Sequence, residues 1–333
     1  MTTVGVVIPC RNEARWLHEV LQGLESQTRP ANDVVVVDDG STDETSLLLE
    51  EHLRVGGLPL RIVAGPTRGV AAAVNAGIAA LATDLVVRLD GHCRPSPDYI
   101  ARAVALIETP DVGVVGGVWV IKPGAETLEA GAIAIAAAHR IGSGGAMYRS
   151  GGQSCPRDVD TVPFGCFRRT LWHSLAGLDE RLLANEDYEF NHRVRSRGLR
   201  VVLDPAMKCT YFARPTVAAV ARQYRWYCWW KARMLLRYPG SVRLRQLIPA
   251  MLIPVLIALL ITAPLAGGGW WWLLPAAYPA TMLAGAAHGA ASRGRWQTTG
   301  WLAATFMTMH LMWSAGFWAS LGAAVASRRE AVV

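Results

Sequence analysis

Carboxylates are what this sequence lacks over its C-terminal part: after Asp204 the next acidic residue is Glu330. The overall charge of +7 therefore hides a split, with 20 basic and 25 acidic residues up to Asp204 but 13 basic and 1 acidic beyond it. Glycine is missing from the PCRNE segment at 9–13, so the backbone there cannot approach a pyrophosphate as GxGxxG does, which argues against a Rossmann dehydrogenase. The six cysteines (10, 93, 155, 166, 209 and 228) form no CxxC pair and no zinc-finger spacing. No structural disulfide is expected in a reducing compartment. No basic, cleavable leader precedes the first predicted strand, so the N-terminal part is expected in the cytoplasm.

Apolar residues fill the space that charge leaves. Segments 247–265, 270–291 and 300–326 are uncharged and near or above the ~20 residues of a spanning helix, so three C-terminal transmembrane helices are expected. Arg243 and Arg245 before the first segment, and Arg293 and Arg295 between the second and third, fit a cytoplasmic N-terminal part under the positive-inside rule. Arg328 and Arg329 do not fit if the third segment crosses fully; a hairpin bending near Gly316 is the alternative. Between 205 and 245 nine Lys/Arg are interleaved with Tyr224, Trp226, Tyr227, Trp229 and Trp230. That composition suits nucleic acid or an anionic membrane face, and the apolar segments that follow decide for membrane lipids. The division expected is 1–212 for an α/β domain, 213–245 for basic, aromatic interfacial helices, and 246–333 for the membrane part.

The first 204 residues alternate strand and helix periods. Strands are predicted over 4–8, 33–38, 60–63, 84–89, 112–120 and 161–168, and helices over 14–27, 42–53, 69–81, 96–107 and 185–196, with Ser41 or Thr42 capping the second helix. Alternation of this kind gives a mostly parallel sheet flanked by helices. The glycine-rich stretch 141–160 has no periodicity and reads as a substrate lid or acceptor loop.

Polar clusters stand where these strands end. Asp38 and Asp39 follow four valines, so they surface at the carboxyl edge of the sheet, where open α/β folds bind ligands. A carboxylate there can accept hydrogen bonds from a base N–H or ribose hydroxyls, and it can equally cap a helix or close a turn. Asp90 and His92 flank Gly91 after the next apolar strand, a donor pair suited to Mn²⁺ or Mg²⁺ shared with phosphate oxygens, or to a simple surface turn. With no glycine loop, a cation becomes the neutraliser of a diphosphate, helped by Arg68 at the start of a helix. Glu186, Asp187 and Glu189 crowd one helical turn, and repulsion is expected to raise one pKa towards that of a general base, unless the acids only cap the helix.

PCRNE, DDGSTDET, the stretch from Arg68-Gly69 to Asn75-Ala-Gly77, NEDYE and RQYRW occur in an order that resembles glycosyltransferase family 2, inverting sugar transferases of GT-A fold. The resemblance covers residues 4 to about 238, and VRLDGHCRPSPDYI and VDTVPFGCFRR are similar to membrane-bound transferases of succinoglycan assembly. It implies donor binding by Pro9, Arg11, Glu13, Asp38, Asp39, Arg68, Asp90, Arg222 and Arg225, with Asp39 on the nucleobase. It also implies a metal on Asp90 and His92, Asp187 as catalytic base, and Glu186 and Trp226 on the acceptor side. His92 replaces the Asp that many relatives carry. The implied partners are a nucleotide-diphosphate sugar, a polyprenyl-linked acceptor and membrane lipids, with Mn²⁺ or Mg²⁺ as cofactor and no nucleic acid. Single-sugar transfer is favoured because three spans are few for a polymer channel; a processive synthase and a non-catalytic scaffold are the alternatives.

Overall fold

The computed structural model describes residues 2–152, 154–265 and 269–330, and side chains up to Ala326. The chain forms two compact units, one of residues 1–120 and 151–211, the other of 121–150 and 212–333. Residues 121–150, inside the stretch read from sequence as one α/β domain, thus group with the C-terminal part.

In the first unit, β1 (Val4–Cys10), α1 (Leu17–Glu25), β2 (Asp33–Asp38), α2 (Thr45–Val55), β3 (Leu60–Ala64), α3 (Val70–Ala80) and β4 (Leu85–Arg88) follow one another as strand–helix repeats. They pair in parallel in the order β3-β2-β1-β4, with Cys10 opposite Asp38 and Val7 opposite Arg88. All four strands therefore end on one edge. Gly77 of α3 makes this packing possible, because a Cβ there would lie 2.3 Å from Cγ2 of Val7 and 2.8 Å from that of Val37.

The sheet is mixed rather than mostly parallel. After β5 (Cys93–Pro95), α4 (Tyr99–Ile107) and β6 (Val112–Lys122), the chain enters the second unit and returns at 151, so no short crossover helix imposes parallel pairing. β7 (Arg157–Asp158), β8 (Cys166–Arg168) and β9 (Arg200–Phe212) complete nine strands among the described residues. β8 runs antiparallel to β4 and β6, and β9 antiparallel to β5 and β7. The strand expected over 161–168 is only its last three residues. The helix expected from 42 starts at Thr45 and has no side-chain cap; the Ser41 hydroxyl instead accepts the Asn12 amide.

The second unit holds α5 (Leu128–Ala138) and two short helices, α6 (Arg140–Ser143) and α7 (Met147–Ser150), the last two at the start of the 141–160 stretch read as an aperiodic substrate lid or acceptor loop. The short helix α8 (Arg169–Ser174) and α9 (Glu186–Ser196) belong to the first unit, while α10 (Val217–Arg237), α11 (Leu244–Ala250), α12 (Leu252–Leu265), α13 (Leu273–Ala291) and α14 (Thr299–Glu330) complete the second. Tyr224 fixes the glycine turn of α6, its hydroxyl lying 3.3 Å from the Gly142 carbonyl that accepts from it.

Three spanning helices do not emerge. Among the described residues no single helix is both long and apolar enough to cross a membrane, and only the pair α11 and α12, bent by 42°, passes jointly. Fourteen residues make α12 roughly 21 Å long, short of a ~30 Å hydrocarbon core. α14 is one continuous helix of 32 residues, so the hairpin near Gly316 is not formed. The Arg328 and Arg329 side chains used in the orientation argument lie outside the described residues. Gly316 instead lets α14 meet α10: a Cβ there would lie 2.4 Å from the Arg225 carbonyl oxygen. Gly316→Ala is expected to destabilise the second unit by about 1–3 kcal/mol or more, since backbone must move. Thermal unfolding of the two proteins in one detergent checks this; an unchanged midpoint would contradict the close approach.

Candidate active site

The order β2-β1-β4 brings the ends of three neighbouring strands, and with them PCRNE, Asp38-Asp39 and Asp90-Gly-His92, to one edge of the first unit. Asn12 knits the first two turns. Held in the left-handed region at φ 59°, it accepts the Thr42 amide at 2.7 Å, while the Glu13 amide donates to the Thr45 hydroxyl at 2.8 Å. Gly91 brings the third turn alongside, for a Cβ there would stand 2.9 Å from both Cys10 Sγ and Glu13 Cγ. Pro9 is a half-buried residue of β1 opposite Val37, and Arg11 is exposed.

Asp38 and Asp39 divide two roles. Asp38 closes its own turn, accepting from the Ser41 amide at 2.9 Å and from the Ser46 hydroxyl. Burial acts to raise its pKa, but these hydrogen bonds outweigh it and hold the carboxyl below its usual range. Asp39, 4% exposed, accepts the Thr67 amide at 2.6 Å and the Gly69 amide at 3.3 Å, organising the loop before α3. Each of its oxygens keeps a further lone pair for a donor.

Asp90 and His92 lie within one turn, but among the described residues no three His, Cys, Asp or Glu gather into a group able to hold a metal alone. His92 Nδ1 lies 2.9 Å from Glu13 Oε1. A carboxylate on one ring nitrogen is the arrangement that orients a metal-ligating histidine through the other. Two protein donors are also what Mg²⁺-type sites use when phosphate oxygens and water supply the rest. The residues thus fit a cation shared with a substrate diphosphate. Arg68 is exposed and pairs with Glu180 at 3.1 Å.

Arg88, absent from the sequence expectations, stands among the carboxylates. Its Nη2 donates to Asp90 Oδ1 at 3.2 Å and its Nη1 to Glu186 Oε1 at 2.9 Å. Asp187 is half-buried, accepts the Tyr188 amide at 2.7 Å, and lines one small cavity with Arg88, Phe164, Phe190 and Asn191. A single arginine within a buried strand of valines was the signal in the sequence that pointed to it.

The crowded turn of α9 does raise a pKa, and the group is Glu186, pushed up to about 7. Burial is the main cause; Arg88 opposes it, and Asp187 and Asp90 reinforce it. The most buried of the three carboxyls around Arg88 is thus the one that holds its proton to the highest pH. Glu189 is fully buried and structural, gripped by Arg193, whose Nη2 also donates to the Gly177 carbonyl at 2.8 Å.

Glu186 stabilises the fold below its ordinary pKa near 4.5, and that contribution is lost as pH rises through about 7. Relative to Glu186→Gln, the parent is expected to lose on the order of 1–3 kcal/mol between pH 5 and pH 8. Parallel pH–stability curves for the two proteins would refute the assignment.

Arg222, Arg225 and Trp226 are exposed on α10 in the second unit, whereas Tyr224 between them is buried.

A half-sheet of parallel strands with carboxylates at its C-terminal edge, completed by antiparallel strands, is the layout of a GT-A glycosyltransferase. Residues 5–167 match the model for glycosyl transferase family 2, and the chain carries a domain of that family. The succinoglycan biosynthesis protein ExoA of Rhizobium meliloti (strain 1021) is 29% identical over 96% of this chain and 95% of its own length. An undecaprenyl-phosphate 4-deoxy-4-formamido-L-arabinose transferase of Pseudomonas fluorescens (strain Pf0-1) is 37% identical, over 32% of either protein. Among solved structures, the mannosyltransferase PcManGT of Pyrobaculum calidifontis, in complex with GDP-Man and Mn²⁺, has a similar fold, with a TM-score of 0.63 at 22% identity over 92% of this chain and 86% of that one.

Proposed function

We propose that this protein is an inverting, divalent-metal-dependent transferase that moves one sugar from a nucleoside-diphosphate sugar to a lipid-linked acceptor in exopolysaccharide or envelope glycan assembly. The observation that carries the reading is the convergence of Asp90, Glu186 and Asp187 about Arg88 at the sheet edge where His92 is held by Glu13. A nucleophilic hydroxyl, an anomeric carbon and a departing diphosphate require a proton acceptor and compensation of negative charge, and these residue types supply both.

Asp90 and His92 would hold the cation, which when bound neutralises charge on the donor diphosphate. Glu13 fixes the His92 tautomer and ring. Asp39 grips the base or ribose with its remaining lone pairs. Asp187 takes the proton from the acceptor hydroxyl as that oxygen attacks, inverting the anomeric centre. Glu186, buried beside it and titrating near neutral pH, shapes the acceptor side. The motif match proposes Arg222 and Arg225 for the donor and Trp226 for the acceptor.

Support for a membrane setting comes from the exposed apolar side chains of α11 and α12, among them Leu244, Ile248, Ile257, Ile261 and Leu265, and from the absence of acidic residues between 205 and 329. The named undecaprenyl-phosphate transferase supports a polyprenyl acceptor.

The test is a panel of UDP-, GDP- and dTDP-sugars with Mn²⁺ or Mg²⁺ and polyprenyl-linked acceptors in lipid vesicles. A single added sugar of inverted configuration is expected. A ladder of products would mean processive synthesis, and neither transfer nor donor hydrolysis with any donor would overturn the enzymatic reading.

A further inference from the structure

Asp90 in the turn after β4 and Asp187 on the first turn of α9 come from chain segments about a hundred residues apart, yet a transferase needs the proton acceptor and the donor-binding carboxylate at a fixed separation. What spans the two segments is Arg88. Its planar fork reaches Asp90 with one terminal nitrogen and Glu186, the first residue of α9, with the other, at 3.2 and 2.9 Å. The side chain is only 12% exposed, and Glu186 is 6%.

Two further facts separate this arginine from an ordinary buried ion pair. Its Nε is buried with no hydrogen-bond partner among the described residues, although a purely architectural guanidinium usually has its donors met. And it lines the same cavity as Asp187, so the group that ties the strand to the helix also borders the carboxylate assigned to proton transfer. Further along α9, Arg193 grips Glu189 and donates to the Leu175 and Gly177 carbonyls. Within the first turn Tyr188 also donates to Asp160 Oδ2 at 3.1 Å, so what Arg88 holds directly is Glu186, the residue before Asp187.

We infer that Arg88 is a positioning residue, which by bridging Asp90 to Glu186 sets the place of Asp187 relative to the donor-binding turn. The inference rests on the transferase reading for its kinetic consequence but not for its structural one. Lysine could meet one carboxylate as a point charge and cannot span two with a planar fork. Glutamine at 186 would keep a carbonyl acceptor for Nη1.

The experiment compares Arg88→Met, Arg88→Lys, Glu186→Ala and the double variant Arg88→Met/Glu186→Ala in the full-length protein. Arg88→Met is expected to lower kcat by about 30-fold or more while donor KM moves less than about 3-fold, because loss of orientation acts on the transition state. Arg88→Lys should fall between parent and Arg88→Met. The double variant should be no worse than Arg88→Met alone, since both changes break one link. Independently of activity, amide exchange over 186–190 should quicken about 10-fold in Arg88→Met with β1 and β2 unchanged, as expected for local release of a turn.

Unchanged exchange at 186–190 together with kcat within about 3-fold of the parent overturns the proposal. So does a fall in kcat matched by an equal fall in donor affinity, which would make Arg88 a donor-binding group instead. Should Arg88→Met fail to fold, Arg88→Lys and Glu186→Ala make the same comparison. If the parent itself transfers no sugar but the exchange response is present, the transferase reading fails and the bridge stands.

Discussion

Asp187→Asn is expected to slow sugar transfer by roughly 10²- to 10⁴-fold, the usual share of a general base, while donor binding stays within about 3-fold of the parent. The substitution is isosteric and leaves an oxygen to accept the Tyr188 amide that Asp187 holds at 2.7 Å. The helix start survives, and only the ability to take a proton goes. Asp187 is half-buried where its neighbours Glu186 and Glu189 are buried, so of the three acids in the turn it is the one a substrate hydroxyl can reach. Glu189 is committed to Arg193, and Glu186 to Arg88. Single-turnover transfer and calorimetric titration with the donor nucleotide measure the two quantities separately. Near-parent turnover would take Asp187 out of the role, and a parallel loss of nucleotide affinity would move it to the donor site.

The choice among those three acids shows where the sequence speaks and where it stops. NEDYE announces that carboxylates crowd one turn, where either repulsion raises one pKa or the acids only cap the helix. Which carboxyl shifts is decided by burial in the folded chain, and Arg88, from a segment nearly a hundred residues away, only opposes that shift. The parallel half of the sheet was legible because β1 to β4 alternate with helix-period segments and end in polar clusters. The antiparallel half was not: once the chain leaves for the second unit at 121, periodicity carries no information about the direction in which β8 returns. α5 escaped for a related reason, since an alanine-rich helix buried on all sides has no polar stripe to betray it. The apolar C-terminal segments were legible as composition only. Their division at Met251 and the 42° bend there depend on packing against α14, where Ser314 accepts the Ile253 amide at 3.1 Å and donates to the Ala250 carbonyl at 2.6 Å.

Asp90→Ala is expected to remove activity and divalent-metal dependence together, whereas chelation with EDTA should silence the parent reversibly and re-addition of Mn²⁺ restore it. Only two protein donors are available on this turn and no third His, Cys, Asp or Glu completes the group among the described residues. Affinity for the cation should therefore be weak without nucleotide and rise steeply with it, because diphosphate oxygens supply the missing donors. Mn²⁺ titration by electron paramagnetic resonance, with and without nucleoside diphosphate, reads this without any turnover. His92→Ala should weaken the nucleotide-assisted affinity, and Glu13→Gln, which alters only the partner of Nδ1 at 2.9 Å, should do so by about 10- to 100-fold, the range for a group that orients a ligand. Asp90→Ala has a second consequence, since it removes one of the two carboxylates Arg88 spans while leaving Glu186 in place. Its loss of activity should thus exceed that of His92→Ala even at saturating Mn²⁺. Equal losses for the two variants would confine Asp90 to the cation, and chelator-resistant transfer by Asp90→Ala would end the metal assignment.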